Sequence, residues 1–326
     1  VFLLTTGSEA TENTIKLART YGIRNGGRKK HIIVSFQNAF HGRTFGAQMA
    51  GGSPELKEWI VNYDPGFVNV PFPDGFFNEN REFDVFLKSL DEQGVDPKNI
   101  AGVITETYQG CGPFFMPVEY AKRLEAFCHE NDALLIFDEV QAGFGRTGTW
   151  FGFEHYGVTP DLIACGKGIS SSLPIAAVIG RDDVMDFYKP GSMTSTHSGS
   201  PLPVVAAIAN IRAMKAENIV EQVVNMGHIL KQSLVRIQKK HPSQVGYVTC
   251  KGLVAGLQIV QPGTKEPDGE SALAINEKCF QRGLLMFAPV GKGGMCIKIC
   301  PPLVTPKDAL EEGIGVLDEV CDEVLE

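Results

Sequence analysis

The sequence of 326 residues lacks several features that would mark other classes of protein. It has no stretch rich in Lys and Arg, and its net charge is −8. We therefore do not expect nucleic acid as a partner, because phosphate backbones bind basic surfaces. No apolar run reaches the ~18 residues that a membrane-spanning helix needs. The apolar residues 1–6 lack the basic region of a signal peptide. These absences predict a globular protein that binds neither nucleic acid nor membrane.

Paired cysteine motifs and a dinucleotide-binding fingerprint are also missing. The eight cysteines are scattered, and none forms a CxxC pair. Several lie in apolar runs, as Cys165 and Cys300 do, which favours buried free thiols in a reducing compartment over disulfides. We expect a cytoplasmic location and no metal site. No Gly-x-Gly-x-x-Gly follows the first strand, which disfavours a nicotinamide-dependent dehydrogenase.

The first two thirds of the chain alternate between apolar, β-branched runs and amphipathic stretches. The runs at 31–36, 101–106, 133–138, 161–165 and 175–180 are predicted strands. Residues 9–25 and 118–131 are among the predicted helices. Such alternation is typical of an α/β sheet that is mostly parallel and covered by helices.

The remaining third has a different pattern, which predicts a second domain. Residues 201–240 follow helical spacing, short strands are predicted at 246–249, 253–260 and 295–299, and a final helix at 306–325. We expect a large domain at 1–205, connecting helices at 206–240 and a small α+β domain at 241–326. Because residues 1–6 are typical of the inside of a buried strand, we also expect an N-terminal segment to be missing.

Asp138 stands at the end of a run without polar residues. A carboxylate in this position is costly unless it meets a cation or strong hydrogen-bond donors. Taken alone, an Asp at the end of a strand more often caps the loop that follows the strand. The Gly-rich residues 142–148 that follow are a poor helix start and are suited to line a ligand. Asp138 is therefore a candidate functional carboxylate.

Lys167 follows another apolar run and lies between Gly166 and Gly168. The two glycines leave room for a bulky group beside the lysine. A lysine removed from water has a depressed pKa and becomes a nucleophilic amine that can form a Schiff base. A bare Gly-Lys-Gly is more often a surface turn, so this hypothesis depends on the other motifs.

Two further motifs follow apolar runs near the start of the chain. Residues 5–12, Thr-Thr-Gly-Ser-Glu-Ala-Thr-Glu, place a Gly-Ser turn at a predicted helix start, where N–H groups and the helix dipole favour a phosphate. The alternative is a plain N-cap. In residues 38–44, Asn-Ala-Phe-His-Gly-Arg-Thr, Phe40 could stack on a planar cofactor and Arg43 could bind an anion. Phe40 could equally be a core residue, and Arg43 could form a surface ion pair.

Together, these motifs supply what pyridoxal phosphate requires: a phosphate cradle, a stacking ring, a buried carboxylate and a nucleophilic lysine. Each lies at the carboxyl end of a predicted strand or at the helix start after it, where open α/β sheets bind ligands. Across the whole chain, the order of motifs resembles the class III (ω-type) aminotransferases. The Asp-Glu-Val-Gln run at 138–141, followed by Gly-Lys-Gly at 166–168, is its most specific part.

The resemblance implies a fold-type I large domain with a mostly parallel central sheet, a smaller C-terminal α+β domain and a homodimer. It implies that Asp138 pairs with the pyridinium nitrogen and that Lys167 carries the cofactor, which makes these two the catalytic residues. The other implied cofactor contacts are Gly7 and Ser8 at the phosphate, Phe40 and Val140 on the ring faces, Gln141 at the ring hydroxyl, and Thr196, which reaches the phosphate of the partner subunit.

Four residues are implied on the substrate side. Arg43 would bind a substrate carboxylate, and Glu106 would lie near the ring. Family members that use both an ω-amino donor and 2-oxoglutarate carry a Glu after Gln-Gly and an Arg three residues before Pro-Pro-Leu. Here these positions are Cys111 and Lys298. Losing both halves of a Glu–Arg pair is physically coherent, because a lone buried charge would be uncompensated.

The resemblance implies a ping-pong transfer of an amino group from an ω-amino acid or amine, such as 4-aminobutyrate, to a keto acid such as pyruvate or 2-oxoglutarate. Two alternatives stay open at this point. The same scaffold could carry a decarboxylase, racemase or aminomutase reaction, or the chain could be a non-catalytic fragment. Measured amino transfer would distinguish an aminotransferase from the first alternative. Absorbance of a bound cofactor would distinguish an enzyme from the second.

Overall fold

A computed structural model describes residues 1–325, and these divide into two compact units. The first unit comprises Val1–Tyr108, Met116–Phe144 and Phe151–Ala216. The second comprises Gln109–Phe115, Gly145–Trp150 and the chain from Glu217 onward. The helical region is divided at Ala216, whereas the sequence suggested a separate connecting segment at 206–240. The three domain boundaries drawn from the sequence stay a prediction.

The first unit contains a seven-stranded sheet. Its strands are β1 (Phe2–Leu4), β2 (Ile32–Phe36), β3 (Phe67–Val70), β4 (Ile100–Glu106), β5 (Leu134–Asp138), β6 (Leu162–Cys165) and β7 (Ala176–Gly180). Their order in the sheet is β1-β7-β6-β5-β4-β2-β3. All pairs from β3 to β6 are parallel, whereas β7 is antiparallel to both β6 and β1. The predicted mostly parallel α/β sheet is confirmed.

The α-helices of the first unit lie between successive strands from β1 to β5 or follow β7. They are α1 (Gly7–Gly26), α2 (Phe45–Ala50), α3 (Asp84–Glu92), α4 (Val118–Glu130), α5 (Asp182–Met185) and α6 (Pro201–Ala216). A capping box starts α1: the Thr6 side chain accepts from the Glu9 amide, and the Glu9 carboxylate accepts from the Thr6 amide. Gly27, with φ +75°, ends this helix in a conformation that suits glycine.

The core of the first unit lies at the centre of the sheet. Every residue of β4 and β5 is buried, as expected for strands covered on both faces. The expectation that residues 1–6 form the inside of a buried strand was wrong, because within the described residues β1 lies at one edge of the sheet and Phe2 and Leu3 are only half-buried. Leu4 reaches the core, but Val1 is exposed.

The second unit is α+β. It contains α7 (Ile219–Lys240), β8 (Val245–Lys251), β9 (Val254–Ile259), α8 (Gly269–Gln281), β10 (Cys296–Ile299) and α9 (Lys307–Val324). The strands form an antiparallel sheet in the order β10-β9-β8, with β9 buried along its whole length. None of the helices within residues 1–325 combines the length and the apolar character that crossing a bilayer requires.

The eight cysteines are all free thiols, and five of them are buried. Burial raises the pKa of Cys296 and of Cys321 to about 12. Thiols of this kind stay protonated and act as small apolar side chains. The sequence-based interpretation of buried free thiols is consistent with this arrangement.

Candidate active site

The candidate catalytic residues follow two neighbouring parallel strands of the first unit. Asp138 is the last residue of β5, and Lys167 comes two residues after the end of β6. Glu106 ends β4 and is the register partner of Asp138. Because carboxyl ends of parallel strands meet at one edge of a sheet, these side chains start from the same edge.

The N-terminus of α1 lies at this edge as well. Its first turn begins with Gly7 and Ser8, whose N–H groups precede the intrahelical hydrogen-bond ladder. Thr6 caps the amide of Glu9, and Glu9 in turn binds the amides of Thr5 and Thr6. The capping box thus leaves the glycine and serine amides to a ligand, and the positive end of the helix dipole favours an anion there.

Two glycines bring three separate segments into contact. A methyl group added at Gly7 would meet Val140 Cγ1 at 2.7 Å, and one added at Gly166 would meet the same atom at 3.2 Å and Gly7 Cα at 3.6 Å. The first turn of α1, the second residue after β5 and the residue before Lys167 therefore pack together. Larger side chains at either glycine would force these segments apart, so the glycines are what lets the site form.

The loop that contains Phe40 is tied to the same cluster by two hydrogen bonds. The Arg43 amide donates to Ser8 Oγ at 3.1 Å, and the Phe40 amide donates to Glu106 Oε2 at 3.0 Å. Gly42 lies so close to Ser8 that a side chain there would clash. The Arg43 guanidinium lies over the Phe40 ring, 5.6 Å from its centroid, and is exposed. Phe40 is half-buried beside the α1 start.

Asp138 is buried and both of its carboxylate oxygens have donors. Oδ1 accepts from the Val140 amide at 3.0 Å, and Oδ2 lies 2.8 Å from His41 Nδ1. The sequence motif included His41, but no role was assigned to it. Burial lowers the pKa of His41, but the hydrogen bond to Asp138 and the charges of Asp138 and Glu106 outweigh burial, so the pKa lies above its ordinary value.

Glu139 is a second buried carboxylate that the sequence analysis did not single out. It accepts hydrogen bonds from the Thr107 hydroxyl, the Gly152 amide at 2.7 Å and the Phe153 amide at 3.0 Å. Burial raises its pKa to about 7, although these three donors lower it. Through these donors, Glu139 joins β5 to the neighbouring segments.

Lys167 differs in one respect from the expectation. Its sequence context predicts a lysine removed from water, but this side chain is exposed within the single chain. Burial by its own chain therefore does not desolvate the amine. The backbone of Lys167 has φ +37°, in the left-handed region that a residue other than glycine rarely adopts.

Thr196 and Gln141 occupy different surroundings. Thr196 is exposed in the segment that precedes α6, and the contacts of the described residues do not bring it to Asp138 or Lys167. Gln141 is half-buried three residues after β5 ends at Asp138, and its carbonyl accepts from the Tyr108 hydroxyl at 3.3 Å. An intrachain role for Thr196 therefore gains no support.

Cys111 and Lys298 both belong to the second unit. Lys298 lies in β10, is only 7% exposed, and donates from Nζ to the carbonyl oxygen of Gly110 at 2.8 Å. Cys111, the next residue, is half-buried. The two positions that depart from the family pattern are thus neighbours, and the ammonium of Lys298 holds the backbone beside Cys111.

The first-unit residues fit pyridoxal phosphate. The cradle formed by Gly7, Val140 and Gly166 is too tight for side chains and leaves the α1 amides accessible to a phosphate. Asp138 offers a buried carboxylate, fixed in orientation, to a protonated ring nitrogen. Val140 and Phe40 present apolar surfaces, and Lys167 supplies an exposed amine. This donor set matches the chemistry of the cofactor.

Comparison with known proteins points the same way. The family model described as aminotransferase class-III matches residues 1–321. An acetylornithine aminotransferase from Caldanaerobacter subterraneus subsp. tengcongensis is 34% identical over 325 residues, which cover 99% of this chain and 76% of the relative. The 4-aminobutyrate aminotransferase of Escherichia coli is 32% identical over 326 residues, with 98% and 74% covered.

Solved structures give the same result for the fold. The crystal structure of an (S)-enantioselective omega-transaminase from Thermomicrobium roseum superposes with a TM-score of 0.90 at 29% identity. The match covers 100% of this chain and 75% of that one. Structures of this kind have the fold-type I architecture, so the fold-type expectation is confirmed.

Proposed function

The chain belongs to the class III aminotransferases, and from this premise we propose that it moves an amino group from an ω-amino acid or amine to a keto acid such as pyruvate or 2-oxoglutarate. It is an enzyme that depends on pyridoxal phosphate. The cofactor supplies an aldehyde that takes up the amino group and a ring that withdraws electrons from the reacting carbon. The observation that carries the proposal is the packing of Gly7, Val140 and Gly166 beside Asp138 and Lys167.

Binding and orientation of the cofactor fall to residues of the first unit. The amides of Gly7 and Ser8 and the Ser8 hydroxyl bind the phosphate at the positive end of α1. Phe40 and Val140 would contact the two faces of the ring, and Gln141 would bind the ring hydroxyl. Glu106 accepts from the Phe40 amide at 3.0 Å, which supports its role in keeping Phe40 against the ring.

Asp138 keeps a proton on the ring nitrogen. A carboxylate 6% exposed and held by two donors interacts strongly with a pyridinium, because little water screens the pair. With that proton in place, the ring can accept the negative charge that develops at the substrate carbon. Asp138 therefore lowers the barrier without bonding to the substrate.

Lys167 has two tasks. Its Nζ would hold the cofactor in the absence of substrate, and its amine, when free, would serve as the general base and acid that carries a proton. Arg43, exposed beside Phe40, binds the carboxylate of the substrate. Cys111 and Lys298 are proposed to influence which keto acid is accepted.

The working form is proposed to be a cytoplasmic homodimer in which Thr196 reaches the partner's cofactor phosphate. Helix α6 begins five residues after Thr196 and exposes Leu202, Val205 and Ile208. Apolar residues grouped on one exposed helix are typical of an interface. Covering this helix would bring the adjacent Thr196 segment close to a second subunit.

The test is an amine-donor screen with pyruvate and 2-oxoglutarate as acceptors. We expect an oxo product from the donor and an amino acid from the acceptor in equal amounts. Release of carbon dioxide, or loss of chirality without amino transfer, would instead show a decarboxylase or racemase reaction. Absence of cofactor absorbance from the purified protein would indicate a non-catalytic fragment. Borohydride reduction followed by peptide mapping should label Lys167, and a label on another lysine would contradict this assignment.

A further inference from the structure

Asn210 of helix α6 is bonded to the turn that contains Lys167. Its Nδ2 donates to the carbonyl oxygen of Gly168 at 2.8 Å and to that of Ile169 at 3.2 Å. Both carbonyls belong to the short 3-10 helix Lys167–Ile169. A single helical turn leaves its last carbonyls without partners inside the turn, and here a side chain from another helix satisfies them.

The amide group of Asn210 fits this place in one orientation. Oδ1 accepts from the Ser171 hydroxyl at 2.9 Å, while Nδ2 faces the two carbonyls. A rotated amide would place Oδ1 against two carbonyl oxygens, neither of which can donate a hydrogen bond. Both polar atoms of this side chain are thus engaged by the segment that follows Lys167.

The position of Asn210 is set by the packing of α6. Ala207 and Met214, three residues before it and four residues after it, are both buried, as expected for one face of a helix. Leu202 and Val205 lie on the opposite side and are exposed. Asn210 therefore belongs to the face of α6 that packs on the first unit, and it can hold the turn against a fixed helix.

The turn needs external support because its backbone is strained. Lys167 has φ +37° and Ser171 has φ +66°, and residues with a Cβ keep such conformations only where their surroundings impose them. A Cβ added at Gly168 would meet Phe144 Cβ at 3.0 Å, so the turn also packs closely on that residue. If Asn210 released the carbonyls, the backbone of Lys167 could relax toward negative φ, which would redirect its side chain.

We propose that Asn210 is a positioning residue for Lys167: it holds the carbonyls of the turn and thereby keeps the lysine amine aimed at the aldehyde of the cofactor. Attachment forms a C=N bond between Nζ and the aldehyde carbon and releases the aldehyde oxygen as water, without oxidation or reduction. The inference rests on the proposed function, because it takes Lys167 as the lysine that bonds to pyridoxal phosphate. Asn210 should thus affect this bond and not the contacts to the phosphate or the ring.

The experiment compares Asn210→Asp and Asn210→Leu, which both remove the N–H donors. Asp keeps the shape of Asn, so a role in packing alone would leave the Asp variant unaffected. Dissociation constants are measured for pyridoxal phosphate and for pyridoxamine phosphate, whose amine cannot bond to a lysine. In both variants we expect an affinity loss of about 10- to 100-fold with pyridoxal phosphate and little loss with pyridoxamine phosphate.

Two controls separate the positioning of Lys167 from general damage to the site. In a Lys167→Ala background, the same changes at Asn210 should leave the affinity for pyridoxal phosphate unaltered, because no lysine remains to be positioned. Asn276→Leu in α8 removes a comparable bond, from Nδ2 to the Phe287 carbonyl at 2.7 Å, and should change neither dissociation constant. Equal losses for the two cofactor forms, or a loss that persists without Lys167, would overturn the proposal.

Ser171→Ala covers the case in which neither Asn210 variant folds. It removes the hydroxyl that binds Oδ1 and so allows the amide to rotate away from the two carbonyls. We expect binding of pyridoxal phosphate to weaken by about threefold and binding of pyridoxamine phosphate to stay the same. Unchanged affinity for both would contradict the proposal.

Borohydride labelling of the wild-type protein distinguishes this inference from the proposed function. A label on a lysine other than Lys167 would overturn both. A protein that is labelled at Lys167 but transfers no amino group would refute the proposed function alone. The comparison of the two cofactor forms would then still decide the role of Asn210.

Discussion

Lys167, the proposed Schiff-base lysine, has an unfavourable backbone conformation. Its φ of +37° is easy for glycine and strained for any residue with a Cβ. The position between Gly166 and Gly168 concentrates this strain in a tight turn directly after β6. The amine of lysine is indispensable for the proposed chemistry, so the chain keeps a residue that its backbone does not favour.

We expect Lys167→Gly to be more stable than Lys167→Ala by about 1 kcal/mol, although both lack turnover. Urea unfolding of the two cofactor-free proteins would measure the difference. Lys122, exposed within α4, is the matched control: there, Gly should be less stable than Ala by about 1 kcal/mol. If Ala were the more stable residue at both positions, the backbone of Lys167 would not be strained.

A functional residue is hard to predict from the sequence when its partner is far away along the chain. Asp138 and Lys167 could be singled out because each follows an apolar run beside glycines. His41 could not, since its partner is 97 residues away, and a histidine in a loop carries no sign of what it will meet. The same holds for Glu139, whose donors come from Thr107, Gly152 and Phe153.

Most helices and strands could be predicted because their apolar patterns are long. The strands β4 to β7 begin or end within a residue of the predicted runs. No range was predicted for β3 or for the helices α2, α3, α5 and α8. β3 has four residues, and only Val68 and Val70 are buried. A pattern this short is ambiguous until β2 provides the register, so pairing, and not local sequence, defines the strand.

Glu139 links three elements through one carboxylate. It follows the end of β5 at Asp138 and binds Thr107, next to β4, and the first residues of the 3-10 helix Gly152–Tyr156. Its pKa of about 7 lies above the ordinary value of 4.5. The folded protein therefore binds a proton between these pH values that the unfolded chain releases.

We predict that the free energy of unfolding falls as the pH rises from 4.5 to 7, with Glu139 contributing about 3 kcal/mol to the fall. This contribution is fully present below pH 4.5 and is lost above pH 7. Urea unfolding of the cofactor-free protein across this range would measure it. Glu139→Gln cannot titrate, so its slope should be shallower by that amount. An identical slope in the variant would show that Glu139 is ionised throughout.

The acceptor preference is expected to depend on β10 and the segment before Phe115. Lys298 is bonded to the Gly110 carbonyl at 2.8 Å and lacks the fork of arginine that grips a carboxylate. We predict that pyruvate is at least as good an acceptor as 2-oxoglutarate. The double variant Cys111→Glu, Lys298→Arg should improve the use of 2-oxoglutarate by more than the sum of the improvements in the two single variants. The reason is that the two side chains are expected to act as a coupled pair. Steady-state kinetics with both acceptors decide this: strict additivity would contradict it.

The whole molecule could be predicted only as far as its class. Alternating strands and helices indicate a parallel sheet, but the order β1-β7-β6-β5-β4-β2-β3 joins segments up to 176 positions apart in register, as Phe2 with Val178. Local sequence does not carry such pairings. It also does not reveal that α6, apolar on its exposed side, leaves Leu202 at 70% and Val205 at 62% exposure.

Breaking the proposed dimer should therefore affect the cofactor site. We expect Val205→Glu to give monomers in sedimentation velocity and to weaken binding of pyridoxal phosphate at least tenfold, because a buried unpaired charge destabilises an apolar interface and Thr196 would lose its partner. Leu87→Glu on α3, a surface residue 37% exposed, is the control and should remain dimeric. If Val205→Glu remained a dimer with unchanged affinity for pyridoxal phosphate, α6 would not be part of the interface.

The two units are interleaved along the chain, and this restricts how such a protein can be recombined. The backbone passes from one unit to the other five times, after Tyr108, Phe115, Phe144, Trp150 and Ala216. A chimera joined at Ala216 would combine a foreign second unit with residues 109–115 and 145–150 from the original parent. Within that unit, Gly252 is packed against the backbone of Thr147, and Lys298 against Gly110. Viable crossovers should thus exchange all three segments together, and one gene junction cannot do so.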